Sequence, residues 1–131
     1  MKALSSKISK SLCTASKLTC DDNSGAKIVK IIGKVGYKGT KAKYITAGIC
    51  DVIIVSVKKG SPKIRKKIEK AVVIRQKKPI RRSNGLRVMF EDNAAIIVDD
   101  NNLTKGSEIK GAVAREVAER FPKLAAIASS V

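Results

Sequence analysis

Short runs of β-branched and apolar residues, set between turn-forming residues, recur along most of the chain. Val52-Ile53-Ile54-Val55-Ser56-Val57 lies between Gly48 and Gly60. Ala71-Val72-Val73-Ile74 follows, and Ala94-Ala95-Ile96-Ile97-Val98 ends at the turn-forming cluster Asp99-Asp100-Asn101-Asn102. Ala26 to Ile32 and Leu86 to Phe90 are two further candidates. Such runs predict strands. They recur at roughly 20-residue intervals without long helical patterns between them, which predicts a small closed sheet and not βαβ units. The runs are continuously apolar where a one-sided strand would alternate, so burial on both faces is expected.

Other stretches have a different character. Asn84-Gly85 tolerates positive φ at both positions, predicting a two-residue type I′ hairpin that joins Arg81-Arg82 to the Leu86–Phe90 strand. Gly33 to Gly48 intersperses Gly33, Gly36, Gly39 and Gly48 with Lys34, Lys38, Lys41, Lys43, Tyr37 and Tyr44. This reads as a projecting loop or ribbon. It lacks the glycine and lysine spacing of a phosphate-binding P-loop. Near the C-terminus the period changes: Val113, Val117 and Phe121 recur at i, i+4 and i+8. Arg115 with Glu119, and Glu116 with Arg120, place opposite charges one turn apart. Pro122 predicts a break near Phe121. Lys123 to Ser129 then predicts a second short helical turn presenting Leu124, Ile127 and Ala128.

Charge changes the picture most. Between Lys27 and Arg87 stand 19 Lys/Arg against two acids, Asp51 and Glu69, so this stretch carries the whole net charge of +17. The rest of the chain is neutral as a group. At 131 residues and 44% hydrophobic content the chain has a core, so the charge rides on a folded body and not on a disordered tail. The clusters Lys58-Lys59, Lys63-Ile64-Arg65-Lys66-Lys67, Arg75-Gln76-Lys77-Lys78 and Arg81-Arg82 fall at strand ends or in loops. They are expected to gather on the rims and hairpin tips of the sheet, where a polyphosphate backbone is the natural partner.

The chemistry of catalysis is missing. The chain has no histidine, and Asp21-Asp22, Glu91-Asp92 and Asp99-Asp100 sit among Asn, Ser and Gly, where carboxylates cap turns. Cys13, Cys20 and Cys50 form no C-x-x-C pair, so no zinc site is expected, and they read as buried or semi-buried free thiols. No cofactor, small-molecule substrate or membrane span is expected. Residues 1–16 read as an arm packed on the body. Only Tyr37, Tyr44, Phe90 and Phe121 are aromatic, and Phe90 reads as core. Base stacking is therefore a minor term, and contact with the phosphates of a structured RNA dominates. The rivals, a free-standing single-strand binder and a small RNA-directed enzyme, lack respectively the aromatics and the acid/base set.

Three motifs resemble the universal large-subunit ribosomal protein L-fourteen family, in its archaeal/eukaryotic branch. The first is Cys20-Asp21-Asp22-Asn23-Ser24-Gly25-Ala26-Lys27. The second is Ala71-Val72-Val73-Ile74 followed at the family's spacing by Asn84-Gly85, Phe90 and Asn93. The third is Lys105-Gly106-Ser107-Glu108-Ile109-Lys110-Gly111 with Val113-Ala114-Arg115-Glu116. The Lys2-Ala3-Leu4-Ser5 arm and Val57-Lys58-Lys59-Gly60 match that branch. Two positions depart. Ala112 stands where the family usually has Pro, which would preset the first turn of the helix. Ser83-Asn84-Gly85 replaces the usual Asp-Gly turn.

The resemblance implies a mainly β fold: a five-stranded β-barrel with a protruding ribbon and a short C-terminal helical segment. As one domain it would comprise an arm (1–16), the barrel with basic hairpins (17–104) and the helical segment (105–131). It implies a non-enzymatic constituent of the cytoplasmic ribosome that binds large-subunit rRNA. It further implies a bridge to small-subunit rRNA and contacts with neighbouring large-subunit ribosomal proteins and a subunit anti-association factor. The expected RNA-binding residues are Lys27, Lys38, Lys41, Lys43, Lys58, Lys59, Lys63, Arg65, Lys66, Lys67, Arg75, Lys77, Lys78, Arg81 and Arg82. Turns at Gly25, Gly60 and Gly85 would let backbone approach RNA. Val113, Arg115, Glu116, Glu119, Arg120, Phe121 and Leu124 are expected to face protein partners.

Overall fold

The computed structural model describes residues 8–37, 39 and 44–130. Its strands are β1 (Leu12–Cys13), β2 (Lys17–Cys20), β3 (Ala26–Lys34), β4 (Thr46–Ala47), β5 (Val52–Gly60), β6 (Ile68–Arg75), β7 (Ile80–Arg81), β8 (Arg87–Val88), β9 (Ala94–Val98), β10 (Ile109–Ala112) and β11 (Ala128–Ser130). Two helices, α1 (Arg115–Arg120) and α2 (Pro122–Ile127), lie between β10 and β11.

Strands β2, β3, β5, β6 and β9 close into a barrel in that order. Neighbours are antiparallel except at the closing seam, where β2 runs parallel to β9 with Thr19 opposite Ala94. The fifth barrel strand is thus Lys17–Cys20, not the expected Leu86–Phe90. Within the latter stretch only Arg87–Val88 is strand, and it pairs with Ile80–Arg81 in a separate two-stranded ribbon. A four-residue strand with a single fully inward apolar residue, Leu18, leaves almost no hydrophobic pattern to read.

Alternation along β6 and β9 explains their continuous apolar runs. Ala71, Val73, Ala95 and Ile97 point into the barrel with Leu18, Val29, Ile31, Ile53, Val55 and Val57. Val72, Ile74, Ala94, Ile96 and Val98 point outward into a second cluster with Ile109, Val113, Val117, Phe121 and Leu124. The helical segment therefore covers the outer face of these two strands and not an open end of the barrel. The break at Phe121 is as expected: its φ of −125° and ψ of 81° leave the helical region, and Pro122 opens α2. Ala112 lies in β10, outside the helix, so the departure from Pro there does not loosen the first helical turn.

Three polar joints set the corners. Asp22, buried, accepts from Ser24 N and Oγ through one carboxylate oxygen and from Ile97 N through the other. Asn23 Oδ1 accepts from Ser107 N at 2.8 Å, and Asn23 Nδ2 donates to Ser107 Oγ at 2.8 Å. The first and third motifs are therefore one structural staple. Asp51, also buried, accepts from Gly48 N at 2.8 Å and pairs with Lys10 of the arm at 2.6 Å and Lys34 at 3.2 Å. Ile8 is buried and Ser9 O accepts from Gln76 Nε2, so the described part of the arm packs on the body.

The third joint is Arg75, at the end of β6. Its guanidinium donates to Asp21 at the β2–β3 corner, to Asp92 just before β9 (2.9 and 3.1 Å), and to the Ala112 carbonyl at 2.9 Å. Burial disfavours its charge, but the bonds to Asp92 and Asp21 outweigh this and raise its pKa. Asp92 is held below its ordinary value, first by that hydrogen bond. Gly111, at φ +72°, leaves room for the guanidinium, since a Cβ there would stand 2.7 Å from Arg75 Nη1.

Arg75→Met is expected to lower stability by about 3 kcal/mol, the low end for breaking a buried ion pair because its carboxylates are partly open to water. A denaturant titration measures it. Because the folded pKa of Asp92 is depressed, its contribution is present above the ordinary carboxylate pKa of 3.8 and lost as pH falls below it. Arg75→Met should therefore also flatten the acid limb of the stability profile.

Candidate nucleic-acid interface

The corner between β3 and β5 builds a rigid cationic rim. Gly60 packs so closely that a Cβ would stand 2.6 Å from Gly25 O, and Ser61 N donates to that same carbonyl at 3.0 Å. The following turn is laced by Ile64 N and Arg65 N to Ser61 O, Lys66 N to Val57 O, and Lys67 N to Ile64 O. Ile64 is buried and plugs the turn into the barrel core. With its apolar member turned in, Lys63, Arg65, Lys66 and Lys67 are exposed, beside exposed Lys27, Lys58 and Lys59. None of these seven makes an ion pair among the described residues.

A second cationic region lies at the opposite end of the barrel. Strand β6 runs from Ile68, beside the first rim, to Arg75, and the chain then makes an excursion to Ala94 that carries exposed Lys77, Lys78, Arg81 and Arg87. The hairpin here is not type I′. Arg82 N donates to Leu86 O and Gly85 N to Arg82 O, and among residues 82–86 only Gly85 has positive φ, at +86°. That is a three-residue loop with glycine in the left-handed position. Asn84 Oδ1 accepts from Leu86 N at 3.1 Å.

Not all expected RNA ligands are available. Arg75 is buried and spent on the joint described above. Arg82 holds Glu116 at 2.8 and 3.3 Å. Two cations of the basic stretch outside the expected set are also paired: Lys34 holds Asp51, and Lys70 holds Asp100 at 2.9 Å. Acids from outside the basic stretch thus fold back onto three of its cations, Lys70, Arg75 and Arg82. Lys38, Lys41 and Lys43 lie outside the described residues. Of the flanking tyrosines, Tyr44 is 82% exposed, and Tyr37 donates its hydroxyl to the Tyr44 carbonyl at 3.1 Å. Gly25 and Gly60 are enclosed by the chain itself, while Gly85 has open space around it.

Of the residues expected to face protein partners, Val113, Glu116, Phe121 and Leu124 are buried in this chain. Arg115 and Glu119 are exposed on α1, and Arg120 is half-buried. Phe90 is half-buried against the outer cluster. Among the described residues no group of His, Cys, Asp and Glu could hold a metal, and no helix is long and apolar enough to cross a membrane.

The thiols differ more than their sequence suggested. Cys13 is exposed, Cys20 is half-buried and donates to Asp22, and Cys50 is buried. Burial, reinforced for Cys20 by Asp22, pushes both Cys20 and Cys50 up to about 12. Maleimide labelling of the folded protein near neutral pH should therefore modify Cys13 alone, and peptide mass mapping checks it.

Residues 11–131 match the family model described as ribosomal protein L14p/L23e. The large ribosomal subunit protein uL14 of Methanoregula boonei is 55% identical over all of this chain and 99% of its own length. The uL14 proteins of Methanospirillum hungatei and Halorubrum lacusprofundi are 50% and 52% identical at the same coverage.

Proposed function

Because this chain belongs to the ribosomal protein L14p/L23e family, we propose that it grips large-subunit rRNA through the rim formed by Lys27, Lys58, Lys59, Lys63, Arg65, Lys66 and Lys67. Family membership makes the chain a structural constituent of the large ribosomal subunit and not an enzyme. The supporting observation is the hydrogen-bonded turn that holds these cations outward with no carboxylate partner among the described residues. Fixed like charges repel one another, and a polyanion relieves that cost. Phosphate oxygens, each neutralised by one cation, are the matching chemistry.

The second region, Lys77, Lys78 and Arg81 beside Arg87, lets the barrel touch a second RNA segment while the first is held. A bridge to small-subunit rRNA requires such an arrangement. The exposed edge of α1, with Arg115 and Glu119 next to Arg120, is the mixed-charge surface on which neighbouring ribosomal proteins and a subunit anti-association factor would dock. The buried Val113, Glu116, Phe121 and Leu124 support that surface from beneath. Lys38, Lys41 and Lys43 belong to the same RNA-binding reading through the segment that carries them.

Binding of the full chain to deproteinised large-subunit rRNA should weaken on the order of 10³-fold or more between about 50 and 200 mM salt if six or more phosphates are neutralised. Replacing Lys58, Lys59, Lys66 and Lys67 together with Gln should reduce the slope of log affinity against log salt by about four. A slope unchanged by those replacements would overturn the assignment of the rim.

A further inference from the structure

A cleft of about 600 Å³ opens between the turn of the arm and the start of the β6–β9 excursion. It is lined by Ser11, Leu12, Ser16, Lys17, Lys77, Lys78, Pro79 and Asn93. We infer that this cleft extends the second cationic region into a seat for the RNA backbone, with Lys17 on its wall and Lys30, which stands across from Lys17 on β3 outside the lining, as further phosphate-binding residues; this rests on the rRNA-binding reading above.

Two independent observations support it. The first is the polar lining of the cleft. Lys17, Lys77 and Lys78 are exposed ammonium groups with no ion pair among the described residues. Asn93 Oδ1 accepts from Lys77 N at 2.8 Å, which fixes that amide and leaves its nitrogen, a donor, without a partner among the described residues. Among the described residues no carboxylate lines the cleft. Asp92, next to Asn93, is engaged by Arg75 and Thr19.

The second observation is a pairing that costs the free protein stability. Lys17 and Lys30 stand directly opposite each other on antiparallel β2 and β3. Leu18 and Val29 beside them are 1% exposed and fill the barrel, so both lysines share the outer face. Like charges directly opposite on one face are destabilising. Neither lysine has a carboxylate partner among the described residues, so none of these supplies a counter-charge. A phosphodiester seated in the cleft supplies it, and its oxygens also suit the hydroxyls of Ser11 and Ser16.

The variants Lys17→Gln and Lys30→Gln test this in the full chain with deproteinised large-subunit rRNA as the probe. Each should lower the slope of log affinity against log salt by about one and weaken binding about fivefold to tenfold near 100 mM salt. Without RNA, each should raise the melting temperature by about 1–3 °C, because the repulsion is gone. That opposite pair of signs is not produced by a merely structural lysine. An unchanged slope in both, while the four-lysine rim variant still loses slope, overturns the cleft and leaves rRNA binding intact. Should the rim variant also keep its slope, the rRNA reading itself fails. A lower melting temperature in both variants overturns the argument from repulsion. Weaker incorporation into subunits with an unchanged slope on bare rRNA points to an acidic protein segment in the cleft, which also overturns the proposal.

Discussion

The architecture depends on one buried cation. Arg75 ends a strand that is buried on both faces, and its guanidinium draws together the β2–β3 corner, the entry to β9 and the exit of β10. A barrel with a short parallel seam has few main-chain bonds where β2 meets β9. The planar fork of arginine is suited to this position, because it can donate to two carboxylates and a carbonyl at once. The cost of burying it is offset only while all three acceptors remain in place.

This joint also limits how freely the positive charge can be spent. A stretch with 19 cations and two acids reads as a uniform field, but the fold divides it. Lys34, Arg75 and Arg82 are tied to carboxylates within the fold, and Lys70 pairs with exposed Asp100 at the surface. The rim beside Gly25 and the far excursion keep theirs in water. The functional surface is what remains after the architecture has taken its share.

Much of this was legible in the chain. Four of the five barrel strands announce themselves because β-branched runs have one physical use, and the break at Pro122 follows from sterics alone. The short strand Lys17–Cys20 escaped because only Leu18 is strongly inward, and a four-residue strand with a lysine at its start resembles a loop. Leu86–Phe90 misled in the opposite direction: its apolar residues serve a small ribbon and the outer cluster, with Leu86 and Met89 left exposed. Arg75 and Arg82 looked like their basic neighbours, since nothing in a linear run shows which cation an acid will reach from tens of residues away. One local hint existed. Arg75 directly follows four fully buried residues, where a free charge would be costly. The partner side of α1 was blurred for a related reason: a spacing of four identifies a face but not whether that face looks outward or onto the barrel.

The seam between β2 and β9 has a kinetic consequence. Thr19 meets Ala94 across most of the polypeptide, so the enclosure cannot be completed until nearly three-quarters of the chain has been synthesised. Long-range pairing of this kind is slow, because loop entropy is lost before the contact returns anything. Assembly of this molecule is thus a late event in its own translation. The antiparallel meander of β3, β5 and β6 can form first, as a curved sheet that waits for its last two edges to meet.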